Sequence, residues 1–249
     1  MKDQIAVKTI GLFKRFGKDK DVICSVDMEV RKGELFCMVG TNGAGKTTLI
    51  KILCNLILPT SGEVLINGRN ILSDPDAACS SIGLVTGDER SFYWRLTGRQ
   101  NLDFFATLYN LDPVARKSRI DELLNILRIE EPDKRFQEYP SGIKQRLSIA
   151  RALLHDPDVL FMDELTKNLD PESARSLRVF IKETLVKKQG KTVFFSTHHL
   201  YEVEELADRV AFMIKGRIAA VGTLKELGEA TGVSEAGIEQ IYSYFMKER

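Results

Sequence analysis

The stretch Gly40-Thr41-Asn42-Gly43-Ala44-Gly45-Lys46-Thr47-Thr48 decides the fold of this chain. It matches the pattern G-x-x-x-x-G-K-[ST], whose glycines let the backbone turn its N–H groups toward the phosphates of a nucleotide. Apolar residues at 35–39 predict a buried strand before the loop, and apolar spacing at 48–58 predicts a helix after it. This order of strand, loop and helix is the context in which the motif binds phosphate.

All nine residues of this phosphate loop are expected to contact the nucleotide. We expect Lys46 to reach the β- and γ-phosphates, and the Thr47 hydroxyl to ligate Mg²⁺. The alternative is a glycine-rich turn that holds no ligand, which the flanking strand and helix disfavour.

The composition of the 249 residues favours a cytoplasmic protein without a nucleic-acid partner. Basic and acidic residues nearly cancel, at 36 and 35, so the chain lacks the net charge that attracts nucleic acid. The four cysteines form no C-x-x-C pair, which favours a reducing compartment. The sequence predicts neither a signal peptide at its start nor an apolar run of the ~18 residues that cross a bilayer, so a role at a membrane requires a partner.

Two segments that alternate in hydrophobicity, 5–12 and 22–30, predict an antiparallel pair of strands ahead of the phosphate loop. Phe16 lies in the charged turn expected between them. An aromatic residue in a turn most often packs locally, and stacking on the base of a nucleotide is the alternative.

Helical spacing dominates the middle of the chain. Thr97 and Gln100 form the pattern of a capping box, which begins a helix. We expect a helical subdomain at about 97–154 to be inserted into the core, and helices at about 224–249 to extend it. The predicted fold class is an α/β phosphate-loop NTPase core with an antiparallel β subdomain and this insert, in one domain spanning 1–249.

An apolar strand predicted at 159–162 ends in two carboxylates, Asp163 and Glu164. Ligands of α/β sheets bind at this carboxyl edge. Asp163 is placed to hold Mg²⁺ through water, and Glu164 to polarise the attacking water as a general base. A solvated acidic pair is the alternative, and the phosphate loop makes it less favourable.

Two histidines follow the strand predicted at 192–196. His198 comes first after that strand, so we expect its imidazole at the same sheet edge, where it can donate to the γ-phosphate. His199 has an equal claim by composition, and a surface histidine without a role is the alternative for either residue.

The order of these motifs resembles that of the ATP-binding cassette (ABC) family of ATPases over about residues 5–221. The residues that carry the resemblance beyond the phosphate loop are Ser141-Gly142-Ile143-Lys144-Gln145-Arg146-Leu147-Ser148-Ile149-Ala150-Arg151-Ala152, Asn168-Leu169-Asp170 and Thr197-His198. The resemblance implies that two cassettes pair head to tail, with each ATP held between one phosphate loop and the Ser141-Gly142 region of the other copy. It also implies that Phe16 stacks on adenine and that Asp170 communicates across the dimer.

Within this family the chain resembles the ATPase subunits of bacterial exporters, whose membrane-spanning part is a separate chain. The resemblance implies a peripheral location at the inner face of the cell membrane, where the helical insert and its leading loop dock on the permease. Phe92-Tyr93-Trp94 precede the insert and suit such a contact, while burial against the insert itself is the alternative.

Two departures from the family pattern bear on the chemistry. Thr86-Gly87-Asp88-Glu89 stands where the family has a glutamine, so Asp88 or Glu89 is a candidate to approach the metal instead. Pro140 falls on the position of the signature serine and offers neither a hydroxyl nor a backbone donor. Ser141, one residue later, is then expected to supply the γ-phosphate contact.

Leu165, where proline is usual, and Asn168, where glycine or alanine is usual, are smaller departures. None of them removes the lysine, carboxylates or histidine of the site, so we expect an ATP-hydrolysing subunit that powers a separate permease, in an exporter, at an altered rate. Two alternatives stay open at this stage. One is a soluble ABC ATPase that acts in translation or DNA maintenance, and the other is a regulatory subunit that binds ATP with little hydrolysis.

Overall fold

The computed structural model describes residues 4–87, 91–167, 169–232 and 237–247. Within these ranges the strands are β1 (Ile5–Phe16), β2 (Lys20–Arg31), β3 (Leu35–Val39), β4 (Ser61–Ile66), β5 (Arg69–Asn70), β6 (Ile82–Thr86), β7 (Val159–Asp163), β8 (Thr192–Thr197), β9 (Arg209–Ile214) and β10 (Arg217–Gly222). The helices are α1 (Lys46–Leu53), α2 (Pro75–Cys79), α3 (Gly98–Leu108), α4 (Pro113–Ile126), α5 (Ser141–Leu153), α6 (Pro171–Val179), α7 (Leu200–Leu206), α8 (Leu224–Ala230) and α9 (Ile238–Lys247). A 3₁₀ helix, Phe136–Glu138, precedes α5, and a π-helical segment, Phe180–Lys188, continues α6.

The strands form two sheets. An antiparallel sheet has the order β2-β1-β4-β5, and a six-stranded sheet has the order β10-β9-β3-β8-β7-β6. In the larger sheet β9, β3, β8, β7 and β6 run parallel, and β10 returns antiparallel beside β9. The predicted fold class is confirmed, including the antiparallel pair ahead of the phosphate loop.

The strand that leads into the phosphate loop, β3, lies inside the larger sheet. All five of its residues are buried, as expected for a parallel strand that is covered on both faces. Phe36 and Met38 face the apolar core shared with α1 and the antiparallel sheet. Leu35, Cys37 and Val39 face the core shared with the helices that follow β6. The loop is therefore anchored by a strand that packs on both sides.

Three elements differ from the sequence-based expectation. The helix after the phosphate loop begins earlier, at Lys46, and ends earlier, at Leu53, because the loop winds directly into it. β1 extends to Phe16, so this aromatic residue ends a strand instead of lying in the turn. The amphipathic pattern of residues 171–188 predicts one helix, and within it the hydrogen bonds change from i→i+4 to i→i+5 at Phe180, a change that apolar spacing cannot reveal.

The first helix between β6 and β7, α3, begins where the sequence places its cap. The Thr97 hydroxyl accepts from the Gln100 N–H at 3.1 Å, and the Gln100 side chain accepts from the Thr97 N–H at 2.9 Å. This completes the predicted capping box ahead of α3. Helices α3, α4 and α5 each contribute apolar residues to the core that Leu35, Cys37 and Val39 of β3 face.

The aromatic loop before α3 divides between core and surface. Phe92 is buried and stacks on Phe136, with 4.5 Å between the ring centroids. Tyr93 and Trp94 remain 50% and 54% exposed. The buried Asn101 amide fixes this loop, because it both accepts from the Tyr93 N–H and donates to the Tyr93 carbonyl. Of the three aromatic residues, Phe92 is thus buried by the insert itself.

The end of the chain also packs on the core. Leu227 of α8 and Ile238 and Ile241 of α9 are buried in the same cluster as the helical insert. Among the residues described, we find no helix of the length and apolarity needed to cross a bilayer.

Candidate functional site

The phosphate loop lies at the carboxyl end of β3 and is packed tightly against neighbouring backbone. At Gly45, where φ is 109°, a Cβ would lie 2.8 Å from the Val22 carbonyl oxygen. At Gly40 a Cβ would lie 2.4 Å from the Met213 carbonyl oxygen. Both positions require glycine, because β2 and β9 leave no room for a side chain. The shape of the loop therefore depends on distant strands as well as on its own sequence.

The turn between β9 and β10 supports the loop from below. The Gly216 N–H donates to the Ala44 carbonyl at 2.9 Å, and the Ala44 N–H donates to the Thr41 carbonyl at 3.1 Å. Ala44 is only 2% exposed. Thr41 and Ala44 shape the loop and do not line the cleft beside it, and the nucleotide contacts predicted for them stay predictions.

Lys46 begins α1 and is 5% exposed. Its ammonium donates to the carbonyls of Gly40, at 2.8 Å, and Thr41, at 3.2 Å. Burial lowers the pKa of Lys46, although the charges of Glu164 and Asp163 act in the opposite direction. An ammonium has three donors, so one is left to bind an incoming phosphate oxygen.

Thr47 and Asp163 join the phosphate loop to the end of β7. The Thr47 hydroxyl donates to Asp163 Oδ2 at 2.7 Å. The Ser196 hydroxyl donates to Asp163 Oδ1 at 2.5 Å, since these two residues are partners in the register of β7 and β8. Both carboxylate oxygens are engaged, which fixes the orientation of Asp163 beside the loop.

Glu164 follows β7 with a φ of 47°. Its Oε2 accepts from Lys167 Nζ at 2.8 Å, and its Oε1 lies 3.3 Å from His198 Nδ1. Burial raises the pKa of Glu164, but the hydrogen bond and charge of Lys167, together with His198, outweigh burial and hold the pKa below its ordinary value. Glu164 is therefore ionised at neutral pH, as a proton acceptor must be.

The two histidines occupy different surroundings. The ring nitrogen that reaches Glu164 belongs to His198. The His199 ring lies beside His198, with 4.0 Å between centroids, and beside Tyr201 at 5.5 Å. The geometry therefore favours His198 over His199 for a contact with a nucleotide.

A cleft of about 560 Å³ opens beside the phosphate loop. Eight predicted site residues line it: Phe16, Asn42, Gly43, Gly45, Lys46, Thr47, Thr48 and Glu164. The Phe16 ring is 39% exposed, and Lys14 Nζ lies 4.8 Å from its centroid. An exposed ring on the wall of a cleft is available for stacking, whereas a ring packed against its own chain would not be.

The cleft also contains residues that the sequence did not predict, namely Lys20, Asp21, Val22, Lys215 and Gly216. They come from the start of β2 and from the hairpin turn at the end of β9. The glycine between two apolar segments does predict that hairpin turn, but no local pattern places the turn against the phosphate loop. Lys167, which pairs with Glu164, was also missed, although it lies only three residues farther along the chain.

The start of α5 is separate from this cleft. Among the described residues, Ser141, Gly142 and Asp170 are not part of the lining. A Cβ at Gly142 would lie 3.0 Å from Ser173 Oγ, and Asp170 accepts from the Ser173 N–H at 2.9 Å. Gly142 and Asp170 therefore both lie against Ser173, at the starts of α5 and α6, and none of the three predicted residues lines the cleft of the same chain.

Two of the departures from the family pattern can be located. Leu165 is fully buried, and Pro140 is exposed immediately before α5. Asp88, Glu89 and Asn168 lie outside the described residues, so the predictions made for them stay predictions.

Comparisons with known proteins agree with this geometry. The sequence profile described as ABC transporter matches residues 23–167. Over 221 residues the chain is 34% identical to the ABC transporter ATP-binding protein NatA of Bacillus subtilis, which covers 87% of this chain and 89% of that protein. It is 38% identical over 213 residues to the bacitracin transport ATP-binding protein BcrA of Bacillus licheniformis, covering 85% and 68%.

A solved structure gives the same result. A dimeric ATP-binding cassette, in a post-hydrolysis state bound to ADP and Pi, superposes with a TM-score of 0.77 at 26% identity, over 88% of this chain and 98% of that chain. The matched profile includes the phosphate loop and the carboxylates at the end of β7. The chain therefore belongs to the ABC transporter family, and it binds and hydrolyses ATP.

Proposed function

We propose that this chain hydrolyses MgATP to power a permease formed by a separate membrane protein, and that the assembly is an exporter. The observation that carries the proposal is the 2.7 Å hydrogen bond from Thr47 to Asp163, which joins the phosphate loop to the strand that presents Glu164. The names of the relatives support the transport role, since BcrA is a bacitracin transport protein. The chain then sits peripherally at the cytoplasmic face of the membrane, bound to its permease.

Thr47 and Asp163 hold Mg²⁺ in this proposal. Mg²⁺ binds in such sites through one or two protein oxygens, with phosphate oxygens and water completing its shell. Two oxygen atoms that lie 2.7 Å apart beside a phosphate loop fit that requirement. When bound, the ion supplies positive charge that neutralises the β- and γ-phosphates.

The chain's own residues carry the proton and the charge. Glu164 accepts a proton from the water whose oxygen attacks the γ-phosphorus, while the bond from that phosphorus to the bridging oxygen breaks and ADP leaves. Lys46 stabilises the charge on the transferred phosphoryl group, and His198 donates to one of its oxygens. Phe16 stacks on the adenine at the wall of the cleft.

The complete site requires a second cassette, and a homodimer is the form we propose. Ser141 and Gly142 of one copy cover the γ-phosphate on the other, with Asp170 at the shared boundary. The absence of these residues from the lining of their own chain's cleft supports this arrangement, as does the dimeric relative in the post-hydrolysis state. A helix start aimed at a phosphate is favourable electrostatically.

Glu164→Gln tests the chemistry. We expect phosphate release to fall by about 10²–10⁴-fold, the usual contribution of a general base. The affinity for MgATP should stay within about threefold, because an amide has the size of the carboxylate and adds no repulsion near phosphate. Glu183→Gln, which alters an exposed carboxylate paired with Lys187, is the control. Equal phosphate release by Glu164→Gln and wild type would remove Glu164 from this role.

The transport role is tested separately, by purifying the tagged chain from its native membranes. An integral membrane protein should co-purify in a fixed ratio and raise ATPase activity. A chain that reaches full activity alone, and is recovered only from the soluble fraction, would overturn the proposed permease.

A further inference from the structure

A buried carboxylate behind the site is not explained by the chemistry above. Glu202, on α7, has no exposed surface. Its Oε1 accepts a hydrogen bond from the Thr166 hydroxyl, and its Oε2 accepts one from the Thr197 hydroxyl. The Arg178 guanidinium of α6 lies 3.8 Å from Oε1. A buried carboxylate is costly unless it is fully partnered, and this one is partnered at both oxygens.

The two hydroxyls lie on the segments that carry the site residues. Thr197 ends β8 and directly precedes His198, and Thr166 stands two residues after Glu164. The Thr197 hydroxyl also accepts from the His199 N–H at 3.0 Å, so it orients the backbone on both sides of His198. One carboxylate therefore connects the segment that presents Glu164 to the segment that presents His198.

The connection coincides with the approach of the two side chains themselves. His198 Nδ1 lies 3.3 Å from Glu164 Oε1. The sheet register pairs Asp163 with Ser196, and the Glu164 N–H donates to the carbonyl and to the hydroxyl of Ser196, each at 3.2 Å. Beyond these backbone contacts, Glu202 joins the two segments through the hydroxyls of Thr166 and Thr197.

We propose that Glu202 is a positioning residue, which sets the placement of Glu164 relative to His198 without touching ATP. The inference rests on the roles proposed above for these two residues. Stability alone does not explain a buried carboxylate with these partners, since apolar residues often replace buried ion pairs without loss of stability. Here both oxygens of the carboxylate are used on hydroxyls of the two site segments, and the arginine stands beside them.

Glu202→Ala should lower kcat by about 100-fold, because displacing a reacting group by about 1 Å costs that much. The KM for MgATP should change by less than about threefold, since the phosphate loop and the Phe16 ring are untouched. Glu202→Gln should recover part of kcat, because its carbonyl oxygen still accepts from one hydroxyl and its amide donates to the other.

Glu34→Ala is the matched control. Glu34 is also a buried carboxylate, 6% exposed, and its Oε1 lies 3.2 Å from Arg209 Nη1. It stands just before β3, at the end of the sheet opposite to the site. The two alanine variants should lose similar thermal stability, so a selective loss of kcat in Glu202→Ala isolates positioning from folding.

The outcomes separate the two proposals. Suppose that Glu164→Gln is inactive. Positioning by Glu202 is then overturned if Glu202→Ala has the same kcat as Glu34→Ala, or if Glu202→Ala loses affinity for MgATP by the same factor as it loses kcat. If Glu164→Gln is active, the proposed function fails first. If Glu202→Ala does not fold, Thr197→Val replaces it, because it removes one arm with little change in volume, and a kcat equal to wild type would then overturn the inference.

Discussion

The phosphate loop and the start of α5 both lead into a helix without a side-chain cap, but the two helix starts differ in what surrounds them. Neither α1 nor α5 has a side-chain cap at its N-terminus, which they share with the short helices α2 and α7, whereas Thr97, Asp112, Asp170 and Thr223 cap α3, α4, α6 and α8. The N–H groups of an uncapped first turn need a partner from elsewhere. The residues of the first turn of α1 line a cleft of the same chain, while Ser141, at the start of α5, is exposed beside Pro140.

The difference teaches that affinity and turnover depend on different parts of the molecule. The phosphate loop is complete within one chain, because the carbonyls of Val22 and Met213 and the N–H of Gly216 fix its shape. In the dimer proposed above, the start of α5 functions only when a second cassette brings nucleotide to it. Changes in the loop should therefore alter binding by one chain, and changes at α5 should alter hydrolysis by the pair.

Lys46→Ala attacks the first half of this comparison and should have the largest effect. Removing a buried charge that pairs with phosphate costs about 2–5 kcal/mol, so the Kd for MgATP should rise by about 30–5,000-fold. Titration calorimetry on the single chain measures it. Lys51→Ala, which removes an exposed lysine of the same helix, is the control and should bind normally. Normal binding by Lys46→Ala would end the distinction between the two regions.

Pro140→Ser sharpens the second half. A serine restores a hydroxyl at the start of α5, and one added hydrogen bond of about 0.5–1.5 kcal/mol corresponds to about a 2–12-fold rise in kcat. Binding of MgATP by one chain should stay within about twofold, because α5 does not line the cleft. Ser141→Ala should lower kcat in the same range, and a kcat insensitive to both substitutions would contradict a γ-phosphate contact at α5.

Lys167→Ala should have the smallest effect, and it tests the carboxylate that lies between the two regions. Lys167 holds the pKa of Glu164 down, so its removal raises that pKa. The ionised form is then lost at a higher pH, and the acidic fall of the kcat profile should move upward. At neutral pH kcat should change by less than about fivefold, since this lysine is 56% exposed and its ion pair is screened. Lys187→Ala, from an exposed pair outside the site, should leave the profile unchanged.

The sequence predicted what is encoded locally. The phosphate-loop pattern, the capping box at Thr97 and the apolar segments of the larger sheet are local signals, and each predicted element is present. The meeting of Thr47 and Asp163 could also be predicted, because parallel strands present their carboxyl ends at one edge.

The rest depends on contacts between residues that are distant in sequence. No sequence pattern predicts that Gly216 donates to the phosphate loop, or that Glu202 connects two segments of the site. The change to π-helical hydrogen bonds at Phe180 leaves no trace in apolar spacing. Whether Phe16 belongs to β1 or to the turn after it depends on where the strand ends, and local propensity determines the boundaries of elements least well.

The position of β3 in the larger sheet has a consequence for the order of events during synthesis. Its two neighbours are β8 and β9, which are translated more than 150 residues after it. A nascent chain that has grown only as far as α5 contains the whole phosphate-loop motif. It does not yet contain β8 and β9, which pair with β3, or the turn at Gly216, which donates to the Ala44 carbonyl. Non-local pairing of this kind is completed late. The capacity to hold a nucleotide thus arises only after β8, β9 and the turn that follows β9 have been made, although its motif is complete at Thr48.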